Sequence, residues 1–163
     1  MQKKLRVGFF SFTCDEGCIV YLLEILNTHY HEWLPLLDIA YCRQLKKKNS
    51  PENLDVAFIE GAISTPSEEV KLKHIRKESR RLVALGQCAI MGHYSAQRNQ
   101  FSPAQKKEID FLVKKFHQLK KVLALKDLVK VDAEVFGCPI DEGKFVESMG
   151  KFLQEFGVVK ANA

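Results

Sequence analysis

Five cysteines, Cys14, Cys18, Cys42, Cys88 and Cys138, are the residues in this 163-residue sequence best suited to chemistry. A thiolate is a metal ligand and a redox nucleophile, whereas a buried thiol is only a small hydrophobe. The count is odd and no export signal is read at the start, where the basic stretch Met1 to Arg6 lacks a long apolar run and cleavage site behind it. A disulfide framework is therefore not expected, and metal binding, catalysis or plain burial remain. Their settings discriminate. Cys14 and Cys18 follow a first apolar run, Cys88 a fourth and Cys138 the last, with Gly17, Gly86, Gly137 and Pro139 beside them to permit tight turns. If the runs are strands of one parallel sheet, all end on the same side, and thiols distant in sequence converge. That is what an iron-sulfur cluster requires, its irons being held by thiolates from separate loops. Cys42 lies within or at the end of a strand without glycine around it and reads as core. Four thiolates also suit zinc, but zinc sites are usually built from close pairs, and only Cys14 and Cys18 are close. As a redox dithiol that pair is spaced one residue too widely.

The elements that must position these thiols are legible as hydrophobic patterns. Leu5 to Phe12, Leu36 to Cys42, Leu54 to Ile59, Leu82 to Gly86 and Val129 to Phe136 are short apolar or extended runs. Between them come helical patterns. Cys18 to Leu26 places Ile19, Leu22, Leu23 and Leu26 on one face. Ser67 to Arg81 is a charged surface helix, with Thr65 or Ser67 as its cap and Glu68 and Glu69 in the first turn. Ser102-Pro103 opens an amphipathic stretch to about Lys121 with Ile109, Leu112, Val113 and Phe116 on a common face, and Asp141 to Phe156 turns Phe145, Met149, Phe152 and Leu153 inward. Strands alternating with helices imply an α/β fold: a flavodoxin-like parallel sheet with helices on both faces, whose ligands sit beyond the carboxyl ends of the strands. Lys46 to Asn53 is read as a surface loop.

Composition narrows the function. With 46% hydrophobic residues, the chain fills one core, so residues 1–163 are expected to form a single domain. No apolar run approaches the roughly 20 residues of a membrane span. The excess of 25 Lys and Arg over 20 Asp and Glu is scattered and accompanies no recognisable nucleic-acid module. A soluble, cytoplasmic protein with no nucleic-acid partner is expected.

Four segments in order, Cys14-Asp15-Glu16-Gly17-Cys18, Ile59-Glu60-Gly61-Ala62-Ile63, Leu82-Val83-Ala84-Leu85-Gly86-Gln87-Cys88-Ala89 and Val131-Asp132 with Phe136-Gly137-Cys138-Pro139, resemble the small subunit of nickel-iron hydrogenases and the homologous 20 kDa subunit of complex I. The resemblance covers nearly the whole chain. It implies one proximal [4Fe-4S] cluster that relays electrons beside a large catalytic subunit, which alone carries the nickel-iron centre. With no cysteine after Cys138, the chain looks like the short, soluble form, whose electrons leave through a further subunit bearing flavin or iron-sulfur clusters. One departure concerns the first ligand pair. The family's Cys-x-x-Cys ends in Gly-Cys, and aligning Gly17-Cys18 to that ending puts Asp15 at the first ligand position. Either Cys14 binds in a Cys-x-x-x-Cys spacing, or Asp15 supplies an oxygen, or a stable cluster is lost.

The resemblance places the acid of the Glu60-Gly61 segment near the cluster and the large subunit. Glu60 either serves proton transfer there or hydrogen-bonds loop N–H groups, and Glu16 is a second proton-transfer candidate. His93 is read as a solvated loop histidine, and His29 and His31 as favourable charges late in the first helix. Two rival functions share the fold. A complex I-like quinone oxidoreductase subunit would carry adjacent cysteines near the first strand, where Cys14 is followed by Asp15. An FMN-binding flavodoxin-like module would carry a Ser/Thr-rich phosphate loop, of which Ser11-Phe12-Thr13 is a faint echo.

Overall fold

The computed structural model describes residues 3–160. Five parallel strands, β1 (Leu5–Ser11), β2 (Leu37–Cys42), β3 (Leu54–Glu60), β4 (Ser79–Leu85) and β5 (Ala133–Val135), form one sheet in the order β2-β1-β3-β4-β5. The expected α/β, flavodoxin-like architecture is thus observed, with the change of winding direction between β1 and β3. Helices cover both faces, which explains why the central strands are apolar almost throughout. Leu5, Val7 and Phe9 of β1 point to one face. There they meet Ile19, Leu22 and Ile25 of α1 (Gly17–Thr28), Trp33 of the short α2 (Tyr30–Trp33) and the inward side of α6 (Glu142–Glu155). Phe10, Ala57 and Ile59 point to the other. They pack on Leu72 and Ile75 of α3 (Pro66–Glu78) and Ala89 and Ile90 of α4 (Gly86–Met91). No helix among the described residues is long and apolar enough to cross a membrane.

Three local expectations change. The charged helix expected to reach Arg81 ends at Glu78, where the Ser79 hydroxyl donates to the Ile75 carbonyl (2.8 Å). Ser79 then pairs with Leu54 as the first residue of β4. Arg80 and Arg81 belong to this strand because their guanidiniums reach aside, Arg81 to Glu155 (2.6 Å) and Arg80 over the Phe156 ring (4.6 Å). Cys88 sits not in a loop but in α4, which begins directly at the end of β4. The amphipathic stretch after Ser102 becomes α5 (Pro103–Lys115), shorter than expected and without a buried residue. His29 closes α1 and stacks on Trp33 (ring centroids 4.6 Å), while His31 lies in α2.

Candidate functional site

The carboxyl ends of β1, β3, β4 and β5 carry the segments singled out in the sequence. Phe12 N–H donates to the Glu60 carbonyl and Thr13 pairs with Ala62, so the turns after β1 and β3 lie against each other. Only glycine fits at position 61: its φ is +87°, and a Cβ there would lie 2.8 Å from the Phe12 carbonyl carbon. The turns after β4 and β5 are joined in the same way, Gln87 N–H donating to the Gly137 carbonyl (3.0 Å). Gly86 has φ +75°, and a Cβ on it would lie 2.5 Å from Cys18 Sγ. The absent side chain is therefore what lets the β1 cysteine approach the β4 and β5 turns.

Cys14, Cys18 and Cys88 are half-buried, Cys138 is exposed and Cys42 is buried. Burial pushes the thiol of Cys14 up to about 12, against the Glu16 N–H that donates to its sulfur (3.3 Å), with the charges of Glu60, Cys88 and Asp15 adding to the rise. Burial likewise pushes Cys18 up to about 12. The Glu60 carboxylate adds to this, the Ile140 N–H opposes it, and Cys138 and Cys88 contribute further. Cys18 thus lies within reach of the charges of both later cysteines, and Cys14 within reach of that of Cys88. Cys42, at the end of β2, packs into the core, its N–H donating to Asn49 Oδ1 (2.7 Å).

Asp15 and Cys14 differ in how their side chains are engaged. The Asp15 carboxylate is exposed and turns back on its own loop, accepting from Gly17 N–H (3.1 Å). Glu16 adopts the left-handed conformation as the residue before α1 and offers no side-chain cap. The cap comes instead from another strand. Glu60, 1% exposed, accepts from Ile19 N–H in the first turn of α1 (3.1 Å) and from the Ser11 hydroxyl (2.6 Å). It satisfies a backbone donor that the helix itself leaves open and places negative charge at the positive end of the dipole. Burial nevertheless raises its carboxyl above the usual range, with the Ser11 and Ile19 hydrogen bonds opposing. Glu60 therefore does hydrogen-bond a backbone N–H, and it does so beside the thiols.

A second carboxylate was read in the sequence only as a first-turn acid. Glu68 accepts from Ser64 N–H and Thr65 N–H through Oε2 and from the Thr13 hydroxyl through Oε1 (2.9 Å), while Thr65 caps α3. The capping pattern was the available signal; the reach to Thr13 depends on the parallel pairing of β1 and β3. Ser11 and Thr13, the hydroxyls of the faint phosphate-loop pattern, both donate to carboxylates. His93 opens a 3-10 turn (His93–Gln100) after α4, its ring against Tyr94.

Among the described residues no three His, Cys, Asp or Glu side chains close around a point as a single ion would require. The donor set nevertheless fits a larger, thiolate-bound group: four sulfurs that follow the carboxyl ends of β1, β4 and β5, one of them accepting a backbone N–H, with Gly86 leaving room for Cys18. The residues available to it are Cys14, Cys18, Cys88 and Cys138, with Asp15 displaced toward its own loop.

Known proteins are similar to this chain in sequence and in fold. The chain is 30% identical to the delta subunit of sulfhydrogenase 2 from Pyrococcus furiosus, over 85% of its own length and 57% of the relative's. It is 28% identical to the delta subunit of the NAD-reducing hydrogenase HoxS from Cupriavidus necator, over 86% and 74% respectively. The fold superposes on a chain of an NAD+-reducing [NiFe]-hydrogenase with a TM-score of 0.80 and 23% identity, covering 99% of this chain and 96% of that one. The chain spans about half the length of several curated relatives it matches. The pattern of one family runs through residues 14–152, from the first cysteine into α6, and on that match the chain belongs to the NADH ubiquinone oxidoreductase, 20 Kd subunit, family.

Proposed function

We propose that this chain is the electron-transfer small subunit of a cytoplasmic, nickel-iron hydrogenase-like complex, holding one proximal [4Fe-4S] cluster next to a large catalytic subunit. The observation that carries this reading is that Cys14, Cys18, Cys88 and Cys138 all follow the carboxyl ends of parallel strands β1, β4 and β5, with Gly86 making room for Cys18. When bound, the cluster supplies one-electron transfer. The protein's own residues shape its surroundings. Burial keeps the free thiols of Cys14 and Cys18 protonated, so loading releases protons from these two. The Glu16 N–H hydrogen-bonds the Cys14 sulfur, a lever on potential. Cys14 is the fourth ligand in this reading, because the Asp15 carboxylate is committed to Gly17 N–H. Burial raises the Glu60 carboxyl beside the thiols, which makes it the candidate for proton transfer there, and Glu16 lies on the solvent side.

Apolar side chains stand exposed next to the ligands: Val20 after Cys18, Met91 after Cys88 and Phe136 before Cys138. Such surface suits the large subunit, which carries the nickel-iron centre. Electrons pass on through a further subunit with flavin or iron-sulfur clusters. The names of the hydrogenase relatives agree with this assignment.

Anaerobic iron and acid-labile sulfide analysis, with EPR of the reduced chain, tests the reading. About four irons and four sulfides per chain are expected. Cys14→Ser, Cys88→Ser and Cys138→Ser should each lose them, and Cys42→Ser and Asp15→Ala should retain them. Zinc alone, or full iron in both Cys88→Ser and Cys138→Ser, would end this assignment.

A further inference from the structure

Helix α5 is built to stand and yet has no fully buried residue. Ser102 and Gln105 form a reciprocal capping box, Pro103 occupies the first turn, and Lys114 and Lys115 lie at the negative end of the dipole. The excursion that carries the helix is closed at its base by side chains from the preceding 3-10 turn. Asn99 bonds both the N–H and the carbonyl of Val122 (2.9 and 2.8 Å), and Arg98 donates to Gln118 Oε1 and the Leu119 carbonyl (3.1 and 2.8 Å). Beneath the helix, between it and Arg98 and Lys120, lies a cavity of about 210 Å³. Ile109 and Val113 line this cavity and are only half-buried.

The opposite side is apolar at its centre and basic around it. Phe111 is 64% exposed and Phe116 59%, with Leu112 also exposed. Lys107 and Lys115 lie four residues before and after Phe111, so the three share one line along the helix. Residues 103–121 contain six lysines and two acids. Among the described residues only Lys114 of these lysines is ion-paired, to Asp110 of the same helix. A 13-residue helix without a fully buried residue is marginal in water, and an exposed aromatic flanked by cations without ion-pair partners gains most from an apolar surface ringed by carboxylates.

We propose that α5 is a docking surface for a partner protein that presents an acidic face with an apolar centre, seated on Phe111 between Lys107 and Lys115. Charge complementarity selects the acid. Glu108, one turn before Phe111 and Leu112, selects protein over anionic lipid: it interrupts the face that a membrane-lying helix would bury among acyl chains, whereas a protein can pair it. The surface is required whether or not the thiols hold a cluster, and goes beyond that reading.

The test is lysine footprinting of the tagged chain recovered with its native assembly at low salt, beside the same chain purified alone. Lys107 and Lys115 should acetylate about tenfold more slowly in the assembly, and the protection should vanish at high salt, where charge attraction is screened. Carbodiimide should couple them to Asp or Glu of a co-purified chain. The double variant Lys107→Glu with Lys115→Glu should lose that cross-linked chain while keeping its circular dichroism and its iron content. Equal acetylation in the assembly and alone overturns the proposal, as does recovery of the chain by itself at low salt with both lysines reactive. Capture on phosphatidylglycerol vesicles without protection in the assembly also overturns it, in favour of lipid. Iron retained while α5 stays unprotected removes this proposal alone and leaves the cluster assignment standing.

Discussion

Helices α5 and α6 are near twins in the sequence. They have 13 and 14 residues, each is capped by a side-chain oxygen, Ser102 accepting from Gln105 N–H (3.3 Å) and Asp141 from Lys144 N–H (2.8 Å), and each has an apolar face. Helix α6 buries Phe145, Met149, Phe152 and Leu153, whereas α5 buries no residue. Phe145 lies against Phe58 of β3 and Trp33, with ring centroids 5.4 and 6.1 Å apart. An amphipathic pattern states that a face will be covered. Whether this chain or another covers it depends on where the preceding strand delivers the helix. Helix α6 follows β5 directly and falls back on the sheet, while α5 is held at the end of an excursion closed by Arg98 and Asn99.

The contrast is sharpest for the aromatic at the centre of each face. Phe145→Ala should destabilise the isolated chain by about 3–5 kcal/mol, because it removes a fully buried ring and leaves a cavity in close-packed surroundings. Phe111→Ala should change stability by no more than about 0.5 kcal/mol. Urea unfolding of both variants measures the difference, and equal losses would show that α5 packs on the body in solution.

Helix α6 also depends on the anchoring of the strand before it. Asp132, just ahead of β5, accepts from Arg76 of α3 (2.6 Å) and from Leu82 N–H of β4 (2.9 Å), its side chain only 10% exposed. Burial alone would raise its carboxyl, but the Leu82 N–H and the Arg76 guanidinium hold it below the usual range. Asp132→Asn should cost about 1–3 kcal/mol at neutral pH by leaving Arg76 without its counter-charge. The sign of the pH dependence follows. A carboxyl depressed in the folded state contributes its full stabilisation above its unfolded value of about 4 and loses it as pH falls through the folded value. The gap between wild type and variant in urea midpoint should therefore be constant from neutral pH down to about 5 and close below 4. A gap that widens in acid would assign the stabilisation to other groups.

What the sequence made legible follows the same division. The parallel strands and α6 were readable because their apolar residues are satisfied within the chain. Ser79 to Arg81 was not, since charged residues at the entrance of β4 look helical until Glu155 and Phe156 are in place to receive them. At the candidate site the four cysteines and their glycines stood out by type and position. Glu60 was visible as an acid after β3, but its role as the missing cap of α1 needed the pairing of β1 with β3, which brings Ser11 opposite Glu60. The proposed preference for Cys14 over Asp15 could not be read from spacing, because it rests on the Gly17 N–H that donates to the Asp15 carboxylate.

The capping residues give the smallest effects and the finest test of the comparison. Asp141→Ala should lower global stability by about 1 kcal/mol, the ordinary worth of an N-cap on a helix whose folding is tied to the core. Ser102→Ala removes a cap of similar worth, but from a helix that contributes no fully buried residue, so its urea midpoint should stay where it is. The loss should appear locally instead, as roughly fivefold faster amide exchange along α5 with unchanged exchange in α6. If Ser102→Ala moved the urea midpoint as far as Asp141→Ala, α5 would be part of the cooperative core. Its exposed phenylalanines would then be an incidental surface and not one held ready for a partner.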